Sequence, residues 1–155
     1  KNGYLILNDF GSTHYLDKLD LSNYKTLYRL AIKEIIKMQD SLIYDLPLYD
    51  KEFLMYETSL MQEWFLKQYL NIKLDQNQQK MLDRSIENIN NTVLSQPQNT
   101  FVHRDFHSRN IMVTPQEEIG IIDYQDAMNG SITYDLVSLL KDCYVEFDQN
   151  EIEKL

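Results

Sequence analysis

The polar side chains best suited to chemistry crowd into residues 101–113, which read FVHRDFHSRNIMV. This stretch holds two histidines, two arginines, an aspartate and an asparagine between apolar ends. A further acid, Asp123, follows the apolar run IGII. Polar groups placed just before and just after strand-like runs are expected to face a common point.

A β-hairpin would bring these groups together. The runs IMV and IGI are short and β-branched, and the polar segment TPQEE separates them, so the sequence predicts a hairpin over residues 111–123. Asn110 directly precedes the first strand and Asp123 closely follows the second. Antiparallel pairing therefore places both at one edge, which the loop carrying Asp105 also enters.

Oxygen ligands without sulfur suit a hard cation, above all Mg²⁺. An aspartate beside a metal-bound phosphate can accept a proton from a hydroxyl nucleophile. The spacing, with a loop aspartate, an asparagine shortly after it and a second aspartate beyond a strand pair, is that of kinase-type phosphoryl transfer. The pattern thus favours ATP and Mg²⁺ as cofactors.

Two other functions are compatible with the same residues. His103, Asp105 and His107 alternate, so on an extended segment all three would point one way and could bind zinc in a metallohydrolase. A non-catalytic binding domain that kept the fold and lost the reaction is the other alternative.

Several elements must position these residues, and the fold class they predict is α+β and mainly helical. In chain order they are a strand at 4–7, a short helix capped by Thr13, helices over 22–41, 50–70 and 75–96, the hairpin, and a helix from about 133.

The overall composition narrows the partners. The formal net charge of −9 disfavours nucleic acid, because an acidic surface repels phosphate backbones. No apolar run approaches the roughly 18 residues that span a bilayer, so no membrane partner is expected. The single cysteine fits a reducing compartment, and we expect a cytoplasmic protein.

The two motifs HRDFHSRN and IIDYQDA resemble the catalytic core of the kinase-like superfamily, in the branch that holds aminoglycoside phosphotransferases and choline kinase. Protein kinases differ, because they have a lysine where this chain has His107 and insert a long activation segment before the next helix. The stretch YETSLMQEW is similar to bacterial cell-wall-recycling kinases, which phosphorylate N-acetylmuramate or N-acetylglucosamine at the anomeric hydroxyl.

The resemblance implies roles for individual residues of the motifs. Asp105 would be the catalytic base, and Asn110 and Asp123 would be the magnesium ligands. Asp135 would hold the catalytic loop, residues 103–110, through backbone N–H groups, and His103 would brace the same loop.

The resemblance also implies a nucleotide site. Asn8, Asp9 and Phe10 match the linker that offers backbone groups to adenine. His107 stands at the position of a phosphate-contacting lysine. Arg109 would pair either with phosphate or with a carboxylate such as Asp126.

On the acceptor side, Glu57 and Trp64 lie on the helix that faces the sugar in this branch. If they do not contact the sugar, Glu57 would be a solvated charge on its helix and Trp64 would be an aromatic residue of the core. Asp126 would either support the acceptor site or be an exposed acid.

The resulting domain prediction is the C-terminal lobe of a protein-kinase-like fold. Residues 1–11 would be the last strand of the N-lobe and the hinge linker, and residues 12–155 the C-lobe. The rest of the N-lobe of the same parent chain is then an expected partner, the closing C-terminal helices would be absent, and this stretch alone would be almost inactive. The expected reaction is transfer of the ATP γ-phosphate to a small amino sugar, with an aminoglycoside or choline as the alternative acceptor.

Overall fold

Helices surround two short antiparallel sheets in the computed structural model, which describes residues 3–4 and 6–155 without the side chain of Gln149. The helices are α1 (Tyr15–Lys18), α2 (Tyr24–Gln39), α3 (Lys51–Leu60), a π-helix (Met61–Tyr69), α4 (Gln76–Leu94), α5 (Tyr134–Leu140) and α6 (Gln149–Ile152). The strands are β1 (Thr100–Val102), β2 (Ile111–Val113), β3 (Ile119–Ile121) and β4 (Met128–Gly130).

The predicted hairpin is confirmed. Strands β2 and β3 pair antiparallel with Ile111 opposite Ile121, and the backbone N–H of Thr114 donates to the carbonyl of Glu118 (2.9 Å) where the chain turns. Beyond the last pair, the N–H of Ile122 donates to the carbonyl of Asn110 (3.1 Å). The two ends of the hairpin therefore stay side by side.

The second sheet was not predicted. Strand β1 pairs antiparallel with β4, and the segment before α3 joins this sheet through Tyr49, whose N–H donates to the carbonyl of Asn129 (2.8 Å). In return the N–H of Asn129 donates to the carbonyl of Pro47 (2.8 Å). Since β1 leads directly into residue 103, the start of α3 is fastened to the chain that enters the catalytic loop.

The predicted long helices form, with one difference, and the predicted cap of the short helix α1 is not found. Asp50 caps α3 as expected, its carboxylate accepting from the N–H of Phe53 (2.9 Å). The helix predicted to continue to residue 70 changes at Met61 into a π-helix, so its side chains no longer follow the α-helical period. The predicted Thr13 cap is wrong, because His14 takes the cap position of α1 and its N–H donates to Asp17.

The strand predicted at residues 4–7 is not formed by its described residues, and Leu5 lies outside them. Tyr4 and Ile6 are 92% and 95% exposed. A strand exists only with a hydrogen-bonded neighbour, and no described strand pairs with this segment. No helix within the described part of the chain has the length and apolarity needed to cross a bilayer.

The main core lies between α2, the hairpin and α5. Tyr15, Tyr28, Ile111 and Leu139 are buried in it, and so is Phe106, which has no exposed surface. Because Phe106 follows Asp105 directly, the core anchors the catalytic loop next to its central carboxylate.

Phe10 packs against the hairpin at Gly120, a buried position on β3. A Cβ at Gly120 would lie 2.5 Å from Cγ of Phe10, so the glycine is what allows the linker to approach this strand. Substituting Gly120→Ala should lower the free energy of unfolding in the complete protein by about 1–3 kcal/mol, as overpacking does elsewhere. Urea denaturation measures this change.

Gly3→Ala is the matched control, since a Cβ at Gly3 meets nothing within 4 Å. Equal stability of the two variants would show that the Phe10 contact does not constrain the hairpin.

Candidate active site

Asp135, at the start of α5, holds the beginning of the catalytic loop. Its carboxylate accepts the backbone N–H groups of His103 (2.8 Å) and Arg104 (3.0 Å). Both donors reach one acceptor because Arg104 has a left-handed backbone, with φ of 77°. Asp135 is 2% exposed, and burial raises its pKa to about 6 although both hydrogen bonds act in the opposite direction.

His103 braces the loop against the hairpin. Its side chain has no exposed surface, and Nε2 lies 2.9 Å from the carbonyl oxygen of Ile122. Burial lowers the pKa of His103, which favours the neutral ring. A neutral imidazole with its proton on Nε2 donates to that carbonyl and ties the loop to the segment before Asp123.

The structure brings Asp105, Asn110 and Asp123 together. The side-chain nitrogen of Asn110 donates to the backbone carbonyl of Asp105 (3.1 Å) and lies 3.4 Å from a carboxylate oxygen of Asp123. All three residues line one cleft of about 670 Å³, called the first cleft below. Asp123 follows the hairpin with a left-handed φ of 69°, a conformation that aspartate tolerates.

The donor set at this point fits Mg²⁺. Asn110 and Asp123 offer an amide oxygen and a carboxylate as oxygen ligands, and in this structure the Asn110 amide nitrogen is the atom that donates to Asp105 and to Asp123. The side chain of Gln125 donates to the other oxygen of Asp123 (2.6 Å) and orients that carboxylate. An all-oxygen pair of this kind suits a hard cation that keeps waters and phosphate oxygens as its remaining ligands.

His107 and Arg109 also line the first cleft, together with Tyr144. The guanidinium of Arg109 lies 4.9 Å from the centre of the Tyr144 ring, and the His107 ring meets the same ring edge-on at 5.2 Å. Asp126 instead lines a separate cleft. Of the two pairings proposed for Arg109, the structure therefore does not form the one with Asp126.

The zinc site proposed for His103, Asp105 and His107 is wrong. Among residues 3–4 and 6–155, no group of three His, Cys, Asp or Glu side chains is placed to hold a metal ion. The left-handed conformation of Arg104 breaks the alternation that would have pointed the three side chains one way. His103 consequently faces the interior of the fold.

A second cleft of about 790 Å³ has Arg104 and Asp126 in its wall. Its acidic lining residues are Asp45, Asp50, Glu52 and Asp126.

Glu57 lines neither cleft. One of its carboxylate oxygens pairs with Nη2 of Arg104 (2.6 Å), and the other accepts from the hydroxyl of Tyr49. It is therefore not a fully solvated helix charge, and its contact with an acceptor stays a prediction. Trp64 is 64% exposed, so the alternative that made it a core residue is wrong, while its role on the acceptor side stays a prediction.

The linker residues lie outside the first cleft. Asn8 and Asp9 are exposed, and the carboxylate of Asp9 accepts from the N–H of Gly11 (2.8 Å). Phe10 contacts β3, whose far end leads to Asp123. The linker and the candidate metal ligands thus share the hairpin but not a cavity.

Sequence reasoning missed several residues of the site. His14 and Asp17 line the first cleft, and Nδ1 of His14 lies 2.7 Å from the carbonyl oxygen of Arg109. Asp142 accepts from the backbone N–H of Ser108 (2.8 Å). These residues lie outside the recognisable motifs, and no local pattern distinguishes them from surface residues.

Comparisons with known proteins confirm the resemblance to the phosphotransferase branch of the kinase-like superfamily. A family model described as the phosphotransferase enzyme family matches residues 3–155. The N-acetylmuramate/N-acetylglucosamine kinase of Neisseria meningitidis serogroup B is 36% identical over 152 residues, and that of Pseudomonas aeruginosa is 33% identical over 153 residues. The alignments cover 95% and 98% of this chain but only 45% of each relative, so the chain spans about half the length of the curated relatives it matches.

Solved structures confirm the predicted kinase-like fold. The ADP-bound aminoglycoside phosphotransferase APH(2'')-Ib superposes with a TM-score of 0.61 at 21% identity, covering 96% of this chain and 52% of that structure. The gentamicin complex of APH(2'')-IIa gives the same TM-score at 20% identity, with the same coverage.

The ion pair between Glu57 and Arg104 is expected to stabilise the fold. Both side chains are 23% exposed, so Glu57→Ala leaves a half-buried guanidinium and the Tyr49 hydroxyl without their acceptor. We expect the free energy of unfolding to fall by about 1.5–3 kcal/mol, the range for hydrogen bonds to charged groups. Urea denaturation of the complete protein measures it.

Glu63→Ala serves as the control, because its pair with Lys67 is about half exposed and should contribute nothing measurable. If both variants unfold at the same urea concentration as the unmodified protein, the ion pair does not hold α3 to the catalytic loop.

Proposed function

Because this chain belongs to the phosphotransferase enzyme family, we propose that the protein containing it transfers the γ-phosphate of ATP to a hydroxyl of a small amino sugar. The observation that carries the proposal is the convergence of Asp105, Asn110 and Asp123 on one cleft. The names of the curated relatives support N-acetylmuramate or N-acetylglucosamine as the acceptor. The resemblance of the sequence motifs implies the anomeric hydroxyl as the reacting group.

Asp105 acts as the base. Its carboxylate takes the proton of the acceptor hydroxyl while the hydroxyl oxygen forms a bond to the γ-phosphorus, and the bond between that phosphorus and the bridging oxygen breaks to release ADP. Arg104 lines the second cleft and its sequence neighbour Asp105 lines the first, and this adjacency supports the second cleft as the place of the acceptor.

The first cleft holds the nucleotide phosphates. Asn110 and Asp123 would bind Mg²⁺, which supplies positive charge to the phosphate oxygens when it is bound. Arg109 adds a fixed cation on the same cleft, and His107 a ring nitrogen donor. Positioning and electrostatic stabilisation of this kind supply most of the catalysis in phosphoryl transfer.

A cationic acceptor is the second candidate. The carboxylates of Asp45, Glu52 and Asp126 line the second cleft, and a cleft lined by one sign of charge concentrates ligands of the opposite sign. An aminoglycoside or choline would satisfy this preference without any change in the reaction.

Replacing Asp105 tests the assignment of the base. In the complete protein, Asp105→Ala should lower kcat by about 10²–10⁴-fold, because it removes the proton acceptor, while the KM for ATP stays within about twofold. A coupled assay of ADP release measures both constants. Asp83→Ala, on α4 and away from both clefts, is the control and should keep normal turnover.

The acceptor is tested in the same assay with N-acetylmuramate, N-acetylglucosamine, gentamicin and choline, and phosphorus NMR of the product identifies the phosphorylated atom. If only gentamicin or choline is phosphorylated, the acceptor is a cationic molecule and not an amino sugar of the N-acetyl type. Near-normal turnover of the Asp105→Ala variant would remove Asp105 as the base.

A further inference from the structure

A second carboxylate holds the end of the catalytic loop. Asp142 lies just past the last residue of α5, and its Oδ2 accepts the backbone N–H of Ser108 (2.8 Å). Ser108 is 1% exposed, so without Asp142 this N–H would be buried without an acceptor. Asp142 therefore accepts a backbone N–H near the end of the loop, as Asp135 accepts two at its beginning.

The two carboxylates are linked by one rigid element. Asp135 belongs to the first turn of α5 and Asp142 follows its last turn, and the helix has seven residues. At 1.5 Å per residue, the helix rises about 7.5 Å from Asp135 to Leu140, and Asp142 lies two residues beyond its end. Both ends of the loop, at His103 and Ser108, are therefore attached to one helix and the turn that follows it, and the helix is packed in the core through Leu139.

Asp142 also sets the position of Tyr144. Its Oδ1 accepts the N–H of Tyr144 (2.8 Å), which forms a tight turn at this point of the chain. At this position the Tyr144 ring contacts both His107 and Arg109, and all three residues line the first cleft. A single carboxylate thus connects the backbone of the loop with both side chains that would bind phosphate.

We propose that Asp142 and Tyr144 are positioning residues for phosphoryl transfer, with Asp142 fixing the loop backbone around Asp105 and Tyr144 directing His107 and Arg109 toward the nucleotide phosphates. The part of the inference that concerns catalysis rests on the proposed function. Its structural content, that Asp142 holds residues 103–110, can be measured independently.

Asp142→Ala should affect turnover more than acceptor binding. Misplacing the loop by a fraction of an ångström to an ångström should lower kcat by about 10- to 100-fold, while the KM for the acceptor changes by less than about threefold. Asp142→Asn should recover part of the loss, because an amide oxygen can still accept from Ser108. Tyr144→Ala should raise the KM for ATP about two- to fivefold, the size expected for one exposed cation–π contact.

Hydrogen exchange gives a readout that does not depend on activity. In Asp142→Ala the amide of Ser108 should exchange about 10- to 100-fold faster, which corresponds to losing one hydrogen bond to a charged acceptor. Asp148→Ala is the matched control, since Asp148 caps α6 through Asn150 (2.9 Å) and contacts neither the loop nor Tyr144. Its kcat and its exchange at residues 103–110 should equal those of the unmodified protein.

The outcomes separate the two proposals. Faster exchange in Asp142→Ala supports the inference even if the unmodified protein phosphorylates none of the acceptors tested, a result that would count against the proposed function alone. Unchanged exchange at Ser108 overturns the inference whatever the turnover. In an active enzyme, a kcat of Asp142→Ala equal to that of Asp148→Ala overturns it as well.

Discussion

The whole site depends on one buried carboxylate that accepts two backbone hydrogen bonds. The catalytic loop belongs to neither a helix nor a strand, yet its first residues enter the interior, where backbone N–H groups must find acceptors. Asp135 supplies the acceptor for His103 and Arg104, and the left-handed conformation of Arg104 is the backbone strain that makes this double contact possible. This contact fixes the backbone just before Asp105, and the buried side chain of Phe106 anchors the backbone just after it.

The hairpin register provides the second constraint. Successive side chains of a strand alternate between faces, so a slip of one residue between β2 and β3 would move the groups at both ends relative to each other. Pairing Ile111 with Ile121 keeps the Asn110 amide within reach of the Asp123 carboxylate, and the Ile122 carbonyl within reach of His103. The relative placement of Asn110 and Asp123 thus depends on the hairpin register as well as on the contacts between their own side chains.

The parts that could be predicted from the sequence are those with local signals. The hairpin has β-branched runs around a polar turn, and the Asp50 cap precedes an apolar helical pattern, so both follow from short-range preferences. Strand β4 reads Met-Asn-Gly, which carries no β-strand signal, and it forms through distant pairing with β1 and with residue 49. The π-helix also has no local signal in the sequence. Because it changes the number of residues per turn, the α-helical period does not predict which face Trp64 lies on, and the core position expected for Trp64 is wrong. The role of Asp142 depends on α5 and the loop meeting in space, which no local pattern encodes.

The charge of the second cleft depends on the ion pair between Arg104 and Glu57. Among the described residues that line it, Arg104 is the only lysine or arginine, and its guanidinium is already paired with Glu57. The remaining charged groups of that lining are carboxylates, which leave the cleft with negative potential. N-acetylmuramate carries a carboxylate of its own, so burying that group against Asp126 or Glu52 would cost free energy without a compensating cation. An anionic sugar would therefore have to direct its acid group away from this cleft, whereas neutral N-acetylglucosamine meets no such restriction.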